Sequence, residues 1–140
     1  MPHELKMDPM NFALRLRLRK LDDTGLYALI LLHEILVKQG QKDLELVQGY
    51  LTVMGETCWH CWLRDGKNNI IDLGRIIATL KDAEFERCEF KYSTEKIDGA
   101  KVDQPNVLIW EKRNDANFWK GAPKKFIEFR SKCHSRVQRV

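Results

Sequence analysis

The segment Thr57–Arg64, TCWHCWLR, places two thiols, an imidazole and two indoles within one short run. As a strand it alternates, with Cys58, His60 and Trp62 on one face and Trp59, Cys61 and Leu63 on the other. The turn signal Asp65-Gly66-Lys67-Asn68-Asn69 follows, and the chain returns through Ile70-Ile71-Asp72-Leu73. That hairpin brings Asp72 back towards the level of His60. A carboxylate beside an imidazole fixes its tautomer and stabilises its protonated form, which is the orienting half of a nucleophilic triad. Cys58 is then a candidate nucleophile, because it shares the face of His60, with Cβ atoms about 6.5–7 Å apart at strand rise.

Other chemistry is less well supported by the residues. Cys58-x-x-Cys61 has knuckle-like spacing, and Cys133-His134 could complete a zinc site. On a strand, however, the two thiols point to opposite faces, and their neighbours are Trp rather than the Pro and Gly of a knuckle. No metal and no cofactor are therefore expected. His33, next to Glu34 in an apolar run, reads as a hydrogen-bonded core or boundary residue. His3 and His134 are expected in solvent. No Gly-rich phosphate loop, dinucleotide fingerprint or H-E-x-x-H occurs.

Elements that position these groups can be read on either side. Asp8-Pro9 can cap and open a helix through NFALRLRLRK (11–20), although Leu and Arg alternate there in strand fashion. Asp22, Asp23 and Thr24 offer capping oxygens to GLYALILLHEILVKQG, whose apolar residues cover most of a helix circumference and which ends at Gly40. This predicts a buried central helix. Leu44–Val53 and Thr57–Arg64 predict an antiparallel hairpin about Met54-Gly55-Glu56. A short helix over 74–83, a strand over Phe85–Tyr92, a loop over 93–106 and a brief strand over Val107–Trp110 follow. Asn114-Asp115 caps a helical stretch through Trp119, and Pro123 starts a basic C-terminal helix. Helices flanking a small antiparallel sheet make the expected class α+β.

The chain has 140 residues, 44% of them hydrophobic and 31% charged, which suits one domain (1–140) with a single core. The net charge of +4 is uneven: residues 111–140 carry +6 and residues 1–110 carry −2. The start MPHELKMDPM lacks a signal-peptide core, no run is long enough to span a bilayer, and four cysteines read as reduced thiols. A cytoplasmic domain with no membrane partner is the expectation.

A buried helix ending in Gly40, an apolar strand carrying Gly49-Tyr50, then His60-Cys61-Trp62, the Asp65-Gly66 turn and Ile70-Ile71-Asp72 together resemble the transglutaminase-like branch of the papain-like thiol enzymes. The resemblance covers about Asp22 to Leu73, the helix-strand-strand core. It implies that His60 and Asp72 correspond to the second and third triad members. In that family the nucleophilic cysteine lies at the N-terminus of the buried helix, where exposed N–H groups lower its pKa. Counting back from Gly40 puts that position near Gly25, and no cysteine precedes Cys58. Thr24 offers a hydroxyl at that end of the helix, a candidate that would need a special base.

Three functions follow from these readings. A transglutaminase-like domain without its nucleophile would bind a protein or peptide in the old cleft, with Trp59, Trp62 and Tyr50 as contact residues. A divergent enzyme on the same scaffold would transfer or hydrolyse an amide or thioester through Cys58 or Thr24. Arg15, Arg17, Arg19 and Lys20, with the basic residues of 122–140, would suit nucleic acid.

Overall fold

The structure, a computed structural model, describes residues 6–94 and 114–136. Asp8 caps α1 (Pro9–Leu18): its carboxylate accepts from the Asn11 amide at 2.7 Å, and Pro9 occupies the first helical position, where no amide is needed. The helical alternative for this segment is therefore the one adopted. Phe12, Ala13 and Leu16 face inward; of the alternating arginines, Arg17 and Arg19 lie on the outer surface and Arg15 is half-buried.

The central helix α2 (Leu26–Lys38) is buried along Ala28–His33 and at Ile35 and Leu36. Its end is a Schellman cap. Gly40, at φ 98°, donates to the Val37 carbonyl, and the Gln41 amide reaches back to Leu36 at 3.0 Å. Its start departs from the expected cap. Gly25 stands at the N-cap with no side-chain bond, and Thr24 donates its hydroxyl to the Leu21 carbonyl at 2.7 Å instead.

Strands β1 (Glu45–Val53) and β2 (Glu56–Arg64) pair antiparallel about a two-residue turn in which Met54 and Gly55 both have positive φ, as strand twist favours. The short β3 (Ile70–Ile71) pairs with the end of β2, and β4 (Phe90–Ser93) pairs with β1, giving the order β3-β2-β1-β4. Leu46 and Leu63 lie on the sheet face that joins the α2 core. Val47, Leu51 and Trp62 lie on the opposite face, and all three are buried too.

Between β3 and β4 run α3 (Leu73–Lys81) and a 3₁₀ turn, Ala83–Arg87. The strand expected over Phe85–Tyr92 is thus shortened to its second half. Asp82 accepts from the Glu84 amide at 3.0 Å, and the Phe85 amide reaches the Asp82 carbonyl, which curls the chain before it can extend. The strand expected over Val107–Trp110 lies outside the described residues.

Helices α4 (Ala116–Lys120) and α5 (Lys124–Arg136) complete the described chain. Phe126, Phe129 and Cys133 of α5 enter the core, with Phe129 and Phe12 at 5.9 Å between ring centroids. His134 is not in free solvent as expected. It lies 3.5 Å from Glu34, which also accepts both guanidinium arms of Arg130, while Lys38 donates to the His134 carbonyl. The fold is α+β, and no helix among the described residues is long and apolar enough to cross a membrane.

Candidate functional site

Asp72 is the last residue before α3, and it works in three directions. Its Oδ1 caps the helix by accepting from the Arg75 amide at 3.2 Å. Both oxygens stand 2.9 Å from His60 Nε2, and Oδ2 accepts the Tyr92 hydroxyl at 2.8 Å. Asp72 is almost fully buried, whereas the His60 side chain is about a quarter exposed. A buried carboxylate needs such donors to remain charged. With Asp72 as the acceptor, His60 donates from Nε2.

Strand register explains how these groups meet. In β2 the His60 side chain projects on the face shared with Cys58 and Trp62, opposite Gly49 of β1. Tyr92 pairs with Leu51 and so lies on that same face. The Trp62 ring packs edge-on to Tyr92 at 5.0 Å between centroids and lies over Gly49. A Cβ on Gly49 would come within 2.5 Å of Trp62 and of the Ser93 carbonyl oxygen, so the glycine makes room for the indole. Gly74 does the same for His60: its missing Cβ would lie 3.2 Å from Cε1.

Burial pushes the Tyr92 hydroxyl well above the ordinary phenol range, and the Asp72 charge and hydrogen bond add to the shift. Tyr92 thus remains a neutral donor and holds the carboxylate in place. Sequence reasoning missed it. Its only signal was the alternation of a strand with no stated partner.

His60 and Gly25 both line an open cleft of about 450 Å³ between the start of α2, the edge of β2 and α3. Leu26, Leu29, Leu73 and Ile77 make it mostly apolar, and Trp59, about half exposed, stands at its edge against the Tyr50 ring. At another part of the wall Lys81 pairs with Asp22 at 3.0 Å, a contact that holds the Asp22 carboxyl below its usual range.

The sequence candidates separate in this arrangement. His60 and Asp72 are brought together. Cys58 lies on the His60 face and is exposed. Cys61 lines the cleft, but burial pushes its thiol up, the Asp72 charge adds to this, and a Gln48 hydrogen bond offsets only part. Thr24 neither caps α2 nor lines the cleft, since its hydroxyl is committed to Leu21. Trp62 cannot act as a surface contact because it is 2% exposed; its large apolar body fills the gap above Gly49 instead. Tyr50 is half-buried and supports Trp59. Among the described residues no cluster of His, Cys, Asp or Glu is suited to hold a metal ion.

Compared with protein-family models, curated proteins and solved structures, the chain shows no match.

Proposed function

We propose that this chain is a binding domain of transglutaminase-like ancestry, whose cleft takes an apolar side chain from a peptide or protein partner. One observation carries the reading. At the start of α2, where a thiol would be activated by exposed amides, the residue sharing the cleft with His60 is Gly25, at φ 56° and ψ −121°. An L-residue rarely adopts that backbone, so the difference from a thiol enzyme extends beyond one side chain. The apolar walls and the half-exposed Trp59 suit recognition of an aliphatic or aromatic group. The His60–Asp72–Tyr92 chain then serves to hold β2, β4 and α3 in register around the cleft.

Selection of displayed peptides on the immobilised full chain tests this. Selected peptides should protect Trp59 from a soluble quencher, and Ala78→Trp, which fills the cleft, should abolish their binding. Peptides that bind the Ala78→Trp variant as well as wild type would place recognition elsewhere and end the proposal. Turnover of activated thioesters that disappears in both Cys58→Ala and His60→Ala would instead establish the divergent enzyme.

A further inference from the structure

A second concavity, also of about 450 Å³, lies between the end of α1 and the outer side of α5. Its walls are Leu18–Leu21 from one segment and Lys125, Glu128, Phe129 and Lys132 from the other. Arg19 ends α1 and holds its guanidinium 5.1 Å from the Phe129 ring centroid. Lys20 follows in the left-handed region at φ 57°, a reversal that turns Leu21 into the core and leaves Lys20 exposed. On α5, Lys125, Glu128 and Lys132 recur at helical spacing on one exposed face, beside the buried Phe129. Segments about a hundred residues apart in sequence thus bring four cations and one carboxylate around one hollow.

Convergence on one hollow, not the lack of a partner, marks these cations, since Lys67 and Arg75 also have no carboxylate within 4.0 Å among the described residues. Arg17, Arg64, Lys81 and Arg130 each have a carboxylate partner within 4.0 Å. Arg19, Lys20, Lys125 and Lys132 form no ion pair among the described residues. Four cations around the single carboxylate of Glu128 leave a net positive hollow, and an incoming polyanion relieves their mutual repulsion while releasing its own counterions.

We propose that this hollow binds the phosphodiester backbone of single-stranded nucleic acid. A flat lipid surface reaches convex faces, whereas a flexible strand can enter a concave one. Phe129 is buried beneath Arg19 and offers no platform for stacking. Recognition is therefore of backbone charge and is indifferent to base sequence.

The test is fluorescence anisotropy of labelled oligothymidylate and oligoadenylate with the full chain over a salt series. Up to four phosphate contacts predict that log K falls with log salt at a slope no steeper than about −3. Lys125→Glu combined with Lys132→Glu should weaken binding by at least about tenfold and flatten that slope. Lys67→Glu, a charge reversal on a distant turn, should leave it unchanged. Both lysines are exposed, and thermal melting checks that the double variant is folded. Equal affinity in the double variant, an equal loss in Lys67→Glu, or tighter binding of polyglutamate or anionic vesicles than of the oligonucleotides would each overturn the proposal.

Discussion

Tyr92 donates its hydroxyl to the carboxylate that binds His60, so Asp72 is shared by β2, β4 and the first turn of α3. One buried acid therefore ties three elements together around the cleft. Asp72→Ala should remove about 2–4 kcal/mol, since it uncaps α3 and leaves two donors without their acceptor. Tyr92→Phe should cost about 1–2 kcal/mol. Urea unfolding measures both, and a loss from Asp72→Ala no larger than that from Tyr92→Phe would contradict the shared role.

Tyr92 also imposes a high-pH limit. Its hydroxyl ionises above the ordinary value of 10.0, so folding favours the neutral phenol. That contribution is complete below the unfolded pKa and is lost as pH rises above 10.0 towards the folded value. Wild type should lose stability over that range more steeply than Tyr92→Phe, as followed by circular dichroism.

Gly49 and Gly55 provide a contrast in steric demand. Gly49→Ala drives a methyl into Trp62 and the Ser93 carbonyl, and should cost about 2–4 kcal/mol. Gly55→Ala meets no neighbouring atom within 4 Å but is strained at φ 77°, and should cost about 1 kcal/mol. Melting curves of the two variants should separate clearly, with Gly49→Ala the lower.

Glu34 docks α5 onto α2. Burial alone would raise its pKa, but the hydrogen bonds from His134 and Arg130 outweigh burial and hold it below the usual value of 4.5. Its contribution is therefore present above pH 4.5 and is lost as pH falls through the lower folded pKa. Glu34→Gln should cost about 1.5–3 kcal/mol at neutral pH. In urea titrations at successive pH values, the gap between variant and wild type should close in acid.

A thiol placed at the first turn of α2 tests whether the helix end and His60 can together activate one. Leu26→Cys puts sulfur at the helix N-terminus in the cleft that His60 lines. Its alkylation at neutral pH, read by mass spectrometry, should outpace that of Cys61 and slow when His60→Ala is added. An unactivated thiol at position 26 would mean that the helix end and imidazole do not cooperate.

Local rules were enough for α2, the β1–β2 hairpin and the approach of Asp72 to His60. An apolar run closed by Gly40 has one stable helical solution, and Met54-Gly55 sets the hairpin register. A period of two then determines which β2 side chains share a face. Four features depended on contacts distant in sequence. Tyr92 reaches Asp72 because β4 pairs with β1, and Trp62 is buried because Gly49 lies opposite its neighbour His60. His134 finds Glu34 only when α5 docks on α2. Arg19 and Lys20 meet Lys125 and Lys132 only when α1 and α5 pack through Phe12 and Phe129. Backbone sterics and hydrophobic period act over a few residues, so the sequence alone determined most elements and the faces they present, but not the 3₁₀ turn that takes the first half of the strand expected over Phe85–Tyr92. Which of those faces met was decided by the packing of the whole core, and with it the shared carboxylate, the cleft and the basic hollow.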